Sequence, residues 1–474
     1  MTIVVGRDLG STYATVMALI LLLFLVPITN NYTDENSELE DGQNFQFARA
    51  NLMVEEITTG GSHTCAIPDN GSVSCWGNNA NGQLGDGTYT NRNTPTLTSS
   101  LGINRTAIKI SAGYSHTCVI LDNGYVSCWG DNSYGQLGDG TNSTKNTPTL
   151  TSSLGLGRAA VSITAGKFHT CAVLDNGSIS CWGYNAAGQL GDGTYTDRYT
   201  PISIYSTTVN NQRARVIEAG DFHTCAIYGD ELGNVESGTN WNTWMKCWGL
   251  NTDGQLGINS AIENTNQPST VHGSYFDSGN IYGPFSISAG GSHTCAASVV
   301  PEWSLGLRVW CWGKNNFGQL GISTQVDHDF PQGVDYSSWS YSPNNIGTFS
   351  ISLGSSHSCY VFTGQLENKC WGDNEYGKLG FGYGTNTPSS WSSPTVVYFT
   401  ADRIAITISS GGDHTCAILD DGSVSCWGLN NHGQLGDGTY ENRLSPVSTK
   451  TLSSVRTAIE ISAGGSHTCA ILDD

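Results

Sequence analysis

The cysteines and histidines are the residues of this chain with the most chemical potential, and nearly all of them lie in two short recurring motifs. His-Thr-Cys begins at residues 63, 116, 169, 223, 293, 414 and 467, and His-Ser-Cys begins at residue 357. Cys-Trp-Gly begins at residues 75, 128, 181, 247, 311, 370 and 426. Together the motifs contain all 15 cysteines, so their chemistry belongs to a repeated unit rather than to one isolated site.

The spacing of the cysteines predicts a disulfide inside each unit. Successive pairs are separated by 10, 10, 10, 22, 16, 11 and 10 positions. A hairpin with a three-residue loop at 69–71 sets Cys65 directly opposite Cys75, at a separation that a disulfide can bridge. Small buried thiols in a core are the alternative, and a zinc site is disfavoured because the spacing lacks Cys-x-x-Cys. The predicted disulfides are Cys65–Cys75, Cys118–Cys128, Cys171–Cys181, Cys225–Cys247, Cys295–Cys311, Cys359–Cys370 and Cys416–Cys426.

The repeated histidine could in principle bind a metal or act as a catalytic base, but eight equivalent positions cannot all be active sites. We predict that it makes a structural hydrogen bond to a neighbouring turn, and that the Trp of Cys-Trp-Gly packs between units. Four copies of Gly-Asp-Gly-Thr could suggest calcium loops, at Asp86, Asp139, Asp192 and Asp437. Because Ile258, Ile322 and Phe381 replace the Asp elsewhere, we interpret it as a turn residue and predict no metal and no cofactor.

Composition narrows the class of protein further. The chain has 474 residues and a formal net charge of −20, with a pI of about 4.7. Such a surface repels phosphate backbones and argues against nucleic-acid binding. Charged residues make up 13%, against about 25% in a typical soluble protein. Together with 59 Gly and 15 Cys, this low charge indicates a secreted, turn-rich β protein.

One unit can be interpreted as four short strands. Residues 107–111 alternate apolar and polar side chains, and residues 116–121 and 125–130 flank an Asp-Asn-Gly turn that favours a hairpin. Residues 148–150 suit an outer strand, because an edge strand tolerates Pro148. Seven such units predict an all-β fold, a seven-bladed β-propeller of four-stranded antiparallel blades.

The unit resembles the regulator of chromosome condensation repeat. The motif runs from Ile110-Ser111-Ala112-Gly113 through His116-Thr117-Cys118 and Cys128-Trp129-Gly130 to residues 135–141, and it recurs over residues 54–474. The resemblance implies a seven-bladed propeller. It does not imply one function: some members that this chain resembles are guanine-nucleotide exchange factors, and one propeller of this repeat type binds a β-lactamase.

The amino-terminal residues predict a secretory or membrane context. Residues 16–26 are apolar but short for a spanning helix, so residues 1–29 are interpreted as a signal peptide or a signal anchor. A buried core segment is the alternative. Residues 30–50 form an acidic flexible spacer, residues 51–450 the propeller, and residues 451–474 an incomplete eighth repeat.

The last residues repeat only the first two strands of a unit, and no Cys-Trp-Gly follows Cys469. Two hypotheses account for them. The favoured one is that the sequence stops inside an eighth unit. The other is that this segment closes the ring by strand exchange and displaces the opening strand of the first blade, at residues 52–57.

Differences between the units predict where a partner binds. The hairpin between the second and third strands is enlarged in blades 4 and 5, as is the connection to the next blade. Exposed aromatic residues on variable loops are typical of interfaces, although these residues could instead cover one another as a local core. The predicted binding residues are Trp241, Trp244, Trp303, Trp310 and Trp339.

The sequence therefore predicts a monomeric, non-enzymatic scaffold that is secreted or displayed at the cell surface and binds a protein or a glycan. No phosphate loop or nucleophile elbow is present. Five Asn-x-Ser/Thr triplets, at Asn31, Asn70, Asn104, Asn142 and Asn176, are compatible with glycosylation. An exchange-factor-like regulator and a secreted enzyme inhibitor are the alternative functions that the resemblance implies.

Overall fold

The computed structural model is built almost entirely from β-strands. It describes residues 3–6 and 54–473, apart from the segments 205–212, 230–242, 274–275, 277–282, 301–305, 336–348, 364–365, 383–388, 401–402 and 451–455. Within this part of the chain, one 3₁₀ turn at Glu375–Gly377 interrupts the strands. The apolar segment 16–26 and the acidic spacer lie outside the described residues.

Seven sheets have four strands each, named A to D in chain order, and every neighbouring pair within a sheet is antiparallel. The A strands of blades 1 to 7 are Val54–Thr59, Ala107–Ala112, Ala160–Ala165, Arg213–Ala219, Pro284–Ala289, Phe349–Leu353 and Ala405–Ser410. The B strands are His63–Pro68, His116–Leu121, His169–Leu174, His223–Gly229, His293–Val300, His357–Phe362 and His414–Leu419. Each B strand therefore begins at the repeated histidine.

The outer strands complete each blade. The C strands are Ser74–Gly77, Val126–Gly130, Ile179–Gly183, Thr243–Leu250, Gly306–Gly313, Glu367–Asp373 and Val424–Gly428. The D strands are Arg92–Leu97, Lys145–Leu150, Arg198–Ser203, Asn264–Thr270, His328–Gly333, Ser390–Val396 and Arg443–Ser448. The predicted seven-bladed, four-stranded architecture is confirmed. The A–B turns and C–D loops emerge on one face, named here the A–B face, and the B–C hairpins emerge on the opposite face.

An eighth position in the ring holds a two-stranded hairpin. Its strands, Ala458–Ala463 and Thr468–Leu472, are antiparallel, and Ile3–Gly6 pairs in parallel with the second of them. The hairpin packs against inner strands of blade 7 on one side and blade 1 on the other. Blade 1 keeps its own opening strand, Val54–Thr59, paired with its B strand. The hypothesis that this strand is displaced is therefore wrong, because the hairpin has its own position between the two blades.

A narrow central channel runs through the ring. Its cavity of about 280 Å³ is lined mainly by the glycines and small residues at the end of each A strand, together with Tyr114, Lys167, Asp221 and Leu353. These ends approach so closely that a Cβ on Gly113 would lie 2.5 Å from the carbonyl oxygen of Gly166. The series closes where Gly464 approaches the carbonyl oxygen of Gly60, so glycine is required because eight backbones converge.

The hydrophobic core is divided among the interfaces between neighbouring blades. Val173 and Ile179 of blade 3, for example, pack in one cluster with Ala214 and Trp248 of blade 4. A blade buries its apolar residues only when a neighbour covers them. Closing the ring therefore gives the inner strands of the first and last positions a covered face as well.

A hydrogen-bonded network joins each blade to the next. Between blades 2 and 3, His116 Nε2 lies 3.0 Å from Thr170 Oγ1, which donates to the carbonyl oxygen of Gln136 at 3.0 Å. Trp182 Nε1 donates to the same carbonyl at 2.9 Å. Because the Thr170 hydroxyl gives its proton to Gln136, His116 must be the donor in their contact. The imidazole is therefore the Nε2–H tautomer.

The same network recurs at the other complete interfaces. The turn after Cys-Trp-Gly supplies the acceptor carbonyl in every case. The remaining acceptor residues are Gln83, Gln189, Gln255, Gln319 and Lys378. The predicted packing of the repeated Trp between units is confirmed. The histidine does make a structural hydrogen bond, but its partner is a hydroxyl on the next blade rather than a turn.

Seven disulfides lie within the blades, as the cysteine spacing predicts. Cys65 faces Cys75 across the B and C strands, and the pairing is the same in the enlarged hairpin of Cys225 and Cys247. The Cα atoms of the seven pairs are 4.1–4.2 Å apart. This separation is near the spacing of a non-hydrogen-bonded antiparallel pair. Cys469 is buried outside these seven bonds, with its Sγ 3.3 Å from Thr64 Oγ1.

Removing one disulfide should destabilise the protein according to the length of the loop that it closes. Replacing both cysteines by Ala should cost about 2.7 kcal/mol for Cys171–Cys181 and about 3.4 kcal/mol for Cys225–Cys247, since a longer loop gains more entropy when freed. Denaturant unfolding of the two double variants measures both values. Equal stability of wild type and variants, or free thiols at these pairs by mass spectrometry, would contradict the assignment.

The network between blades predicts a sharp difference between two substitutions at Thr170. Thr170→Val leaves the buried His116 N–H without its acceptor and should cost about 1–3 kcal/mol. Thr170→Ser keeps the hydroxyl and should cost less, about 0.8 kcal/mol for one buried methyl group. Ser358 already performs this role in blade 6. Urea unfolding compares the variants, and a Val variant as stable as the Ser variant would refute the network's contribution.

Candidate functional site

The repeated histidines are structural groups in the described blades. Burial lowers their pKa to about 3 in His63 and His169 and to about 4 in His116 and His223. A proton added at Nδ1 would bring a charge into a site where that atom has no hydrogen-bond partner among the described residues. They are therefore held neutral, which suits a hydrogen-bond donor in a core and not an acid–base catalyst.

The Asp residues of Gly-Asp-Gly-Thr organise their own turns. Asp86 Oδ1 accepts hydrogen bonds from the Thr88 backbone and hydroxyl, and its Oδ2 lies 2.7 Å from Arg92 Nε. Asp437 has the equivalent partners in Thr439 and Arg443. The carboxylates are occupied by local donors, and the described residues contain no group of three or more candidate metal ligands. This geometry supports the interpretation of these residues as turn residues.

Two of the five tryptophans predicted to bind a partner lie within the described residues, and both pack against other side chains. Trp244 is 5% exposed and stacks on Tyr228, with ring centroids 6.3 Å apart. Trp310 packs edge-on against Phe276 and under the Arg308 guanidinium. Each of these two is therefore packed against side chains of its own cluster, and they do not cover one another. Trp241, Trp303 and Trp339 lie outside the described residues, and a binding role for them stays a prediction.

A patch of five aromatic rings lies on the A–B face beside the channel, across blades 2 to 4. We name it the aromatic patch, and its members are Tyr114, Tyr134, Phe168, Tyr184 and Phe222. Phe168 is central: its ring centroid lies 5.5–6.3 Å from the other four. Tyr134 and Tyr184 pack edge-to-face at 4.8 Å. Tyr114 is 53% exposed and the others are half-buried, so the rings support one another while their outer edges face solvent.

One cation lies among these rings. Lys167 Nζ is 5.5 Å from the ring centroids of both Tyr114 and Phe222, and 3.4 Å from an Asp221 oxygen. Burial and the nearby Asp197 carboxylate raise the pKa of Tyr184, so its phenol stays neutral. The aromatic patch therefore offers broad apolar ring surface, hydroxyl groups and a cation held in place by aromatic faces.

Sequence reasoning missed the aromatic patch although a signal was present. Two residues separate the channel glycine from the repeated histidine, and in four of the eight units both are Gly or Ser, as in Gly61-Ser62 and Gly291-Ser292. Blades 3 and 4 have Lys167-Phe168 and Asp221-Phe222 instead. Comparing the units at these positions, rather than searching for Trp, would have found the patch.

Blade 7 has a charged residue at one of these turn positions, and its role is structural. Asp413 precedes the histidine of blade 7, and one of its oxygens lies 2.6 Å from Lys378 Nζ. The same ammonium group lies 2.7 Å from Asp373 and is almost fully buried. Lys378 takes the place that Gln has in the other turns, and the two carboxylates compensate its charge.

The fold defines a class of protein. It is a β-propeller assembled from copies of one four-stranded unit, and each four-stranded blade contains one disulfide. The chain belongs to the Regulator of chromosome condensation (RCC1) repeat family. The model of this repeat matches residues 70–120, 123–173, 176–227, 247–297, 308–361, 370–418 and 421–471. A second model of the same repeat matches residues 54–83, 107–136, 160–189 and 405–434.

The chain is similar in sequence to proteins whose names describe different activities. The Ultraviolet-B receptor UVR8 of Arabidopsis thaliana is 29% identical over 399 residues, which cover 84% of this chain and 82% of the receptor. The E3 ubiquitin-protein ligase HERC2 of Homo sapiens is 25% identical over 86% of this chain, but the match spans 8% of that ligase. The solved structure of Prp20p from Saccharomyces cerevisiae covers 88% of this chain and 92% of its own, with a TM-score of 0.62 and 19% identity.

No helix among the described residues is long and apolar enough to cross a membrane. The seven disulfides are typical of proteins that fold in an oxidising compartment.

The buried histidines predict that stability falls as the pH is lowered through the range from about 6.5 to 4. The unfolded chain binds protons at its histidines near pH 6.5, whereas burial lowers the folded-state pKa to about 3 in His293 and His414 and to about 4 in His467. The unfolded state therefore binds more protons, and each histidine should cost about 2 kcal/mol by pH 5. Burial raises the pKa of Glu218 and Glu460 to about 7, and it also raises the pKa of Glu56 and Asp197. These four carboxyl groups act in the opposite direction, but they are fewer than the buried histidines.

Thermal melting by circular dichroism at pH 7, 6, 5 and 4 tests this expectation. The melting temperature should fall steeply below pH 6, and potentiometric titration should show uptake of several protons on unfolding at pH 5. A melting temperature that is constant between pH 7 and pH 5 would contradict it. His116→Gln should reduce the proton uptake by about one.

Proposed function

We propose that this chain is a non-catalytic, protein-binding scaffold of the cell surface or extracellular space, and that it binds its partner through the aromatic patch. The observation that carries the proposal is the contact of five aromatic rings at the solvent-facing rim of blades 2 to 4. At the A–B turn positions of Tyr114, Phe168 and Phe222, the other blades have mostly Gly and Ser. The core of the fold does not require aromatic side chains there.

The composition of the aromatic patch suits a protein partner. Clustered Tyr and Phe contribute large contact areas at a small cost in side-chain entropy, and they are enriched at the centres of interfaces. Lys167 is held between two rings and is paired with Asp221, so it is oriented before a partner arrives. A preorganised surface loses less entropy on binding. A glycan is the alternative ligand that the sequence left open.

Three features support an oxidising, extracellular location. The seven disulfides would be reduced in an ordinary cytosol. Residues 1–29 have the features of a signal peptide or signal anchor. The glycosylation triplets within the described residues lie at exposed positions, namely Asn70, Asn104, Asn142 and Asn176.

The enlarged loops of blades 4 and 5 remain a second proposed surface. By sequence, Trp241 and Trp303 belong to the B–C connections of blades 4 and 5, and Trp339 belongs to the connection between blades 5 and 6. Substituting Trp244 or Trp310 would not test this surface, because both pack into local cores. The triple variant Trp241→Ala/Trp303→Ala/Trp339→Ala is the better test.

The relatives favour protein binding but leave other regulators open. Prp20p from Saccharomyces cerevisiae has binding properties toward Gsp1p and histones, and UVR8 is named a receptor. A guanine-nucleotide exchange factor is therefore the alternative regulator, and a secreted enzyme inhibitor is another. The net charge of −20 disfavours contact with phosphate backbones but not with a protein surface, so a nucleotide-exchange assay with a panel of small GTPases is needed to separate these functions.

The aromatic patch predicts which variant loses the partner. Tyr114→Gly/Phe168→Ser/Phe222→Ser places residues from other units at these positions, so the blades should still fold. The variant should capture at least tenfold less of its main ligand in a quantitative surface-proteome pulldown, followed by binding measurements with the purified ligand. Circular dichroism checks the fold.

A matched control removes exposed tyrosines from the outer loops instead. Tyr89→Ser/Tyr440→Ser changes residues that are 54% and 75% exposed and should leave capture unchanged. Equal binding by wild type and the patch variant, with loss only in the triple Trp variant, would move the site to the enlarged loops of blades 4 and 5. Binding on a glycan array without a protein ligand, or stimulated nucleotide release from a GTPase, would replace the proposed function.

A further inference from the structure

The channel glycines, one at the end of each A strand, present hydrogen-bond acceptors but no free donors to the mouth of the channel. In all seven blades and in the eighth-position hairpin, the glycine N–H donates to the carbonyl oxygen of the repeated histidine three residues later, as from Gly113 to His116 at 2.9 Å. The carbonyl oxygen of Gly464 accepts from the Gly412 N–H at 3.2 Å. The other seven accept no hydrogen bond from a described residue, namely those of Gly60, Gly113, Gly166, Gly220, Gly290, Gly354 and Gly411. Since these glycines are buried, their oxygens lack the partner that a buried carbonyl normally has.

The unpaired oxygens lie within the ring of glycines. A Cβ on Gly113 would lie 2.5 Å from the carbonyl oxygen of Gly166, and a Cβ on Gly354 would lie 2.5 Å from that of Gly411. Each oxygen therefore lies between two consecutive channel glycines, at the wall of the cavity that all eight of them line. A ring of carbonyl dipoles around one cavity attracts cations and hydrogen-bond donors.

Blade 4 adds two carboxyl groups beside this ring. Asp221 lines the cavity, and its Oδ2 lies 3.4 Å from Lys167 Nζ, whereas its Oδ1 has no hydrogen-bond partner among the described residues. Glu218 lies two residues before the channel glycine of the same blade. At the corresponding positions of blades 2 and 3, the hydroxyls of Ser111 and Thr164 accept a backbone N–H from the next blade. The Glu218 carboxyl accepts none within the described part of the chain, so this side of the channel adds further unpaired acceptors.

We infer that the channel mouth binds the guanidinium or ammonium group of an Arg or Lys side chain from the protein partner. Such a group has several N–H donors and no acceptor, which complements the unpaired carbonyl oxygens and Asp221 Oδ1. The cavity of about 280 Å³ is close to the lower limit of ordinary ligand pockets, about 300 Å³, so it suits one side chain rather than a large ligand. The inference rests on the proposed function, because Tyr114 belongs both to the cavity wall and to the aromatic patch, and a partner that covers the patch reaches the mouth.

Other occupants fit the mouth less well. A carboxylate would face the carbonyl ring and Asp221, and Lys167, the one basic residue among those that line the cavity, is already paired with Asp221. Turn residues such as Gly61 and Gly291 leave both their N–H and their carbonyl unpaired among the described residues, so they favour neither charge. For a metal ion, the part of the chain that the structure describes offers no group of three or more His, Cys, Asp or Glu side chains placed to hold it.

A peptide and its neutral analogue provide the test. The probe is acetyl-Gly-Arg-Gly-amide, the control is the same peptide with citrulline, which keeps the shape of Arg without its charge, and the binding protein is the full chain. Titration followed by ¹H–¹⁵N NMR should show saturable shifts of the channel glycine amides with the Arg peptide. The citrulline peptide should bind at least about tenfold more weakly, because hydrogen bonds from a charged donor are roughly twice as strong as neutral ones. The same peptide with Glu should give no shifts at these glycines.

Two pairs of protein variants locate the bound group. Asp221→Asn should weaken binding of the Arg peptide about tenfold, since it removes a charged partner. Asp253→Asn is the matched control, because it changes a half-buried carboxylate of the same blade that does not line the cavity, and the affinity should not change. Ser355→Lys places a tethered cation at the mouth, from an exposed residue of the cavity wall, and should abolish binding. Ser355→Met has a similar length without the charge and should have a smaller effect, and circular dichroism checks the fold of all four variants.

The outcomes separate this inference from the proposed function. Absence of saturable shifts, equal affinities of the Arg and citrulline peptides, or equal effects of Asp221→Asn and Asp253→Asn would overturn the inference, even if the aromatic patch variant loses its protein ligand. That variant keeps the channel glycines and Asp221, so it should still bind the Arg peptide. If it binds the peptide and also retains its protein ligand, the proposed function fails, whereas the preference of the mouth for a cationic group stands.

Discussion

The ring depends on one repeated arrangement, in which two donors from one blade converge on a backbone carbonyl of the blade before it. The acceptor is a main-chain carbonyl oxygen that every residue type has, so the identity of the residue that supplies it can change. Lys378 supplies it in blade 6 and still accepts from Thr415 and Trp427. The His, Thr, Trp and Gly residues cannot change as freely, because each contributes a donor or permits a close approach. The most repeated residues are therefore structural, and the candidate site is built from positions that differ between units.

The local structure could be predicted from the sequence because it depends on contacts within one unit. Alternating side chains, an Asn-Gly turn and the position of Cys65 opposite Cys75 are sufficient to define the hairpins and their register. The number of positions around the ring does not depend on contacts within one unit. It depends on the angle between neighbouring blades, which arises from strand twist and side-chain packing. The hairpin at 458–472 could therefore be recognised as two strands, but its place between blades 7 and 1 could not.

The candidate site was less predictable because its residues come from different positions in different units. Phe168 and Phe222 lie in A–B turns, whereas Tyr134 and Tyr184 lie in C–D loops. Only the stacking of blades brings them together. The prediction of a binding site from Trp content failed at Trp244 for a different reason. An aromatic residue in an enlarged hairpin can pack against another residue of the same hairpin instead of facing a partner. Trp244 does so with Tyr228 across the strands that precede and follow the expansion.

The position of the disulfides also affects how the chain can acquire its covalent structure. With 15 cysteines, random oxidation would give a very large number of pairings. Here every bonded partner is the next cysteine along the chain, and the two face each other as soon as one hairpin has formed. Hairpins form within about 1–10 μs, long before distant blades must meet. Oxidation during synthesis can therefore proceed unit by unit, in the order in which the chain emerges, and each finished bond removes two thiols from later exchange.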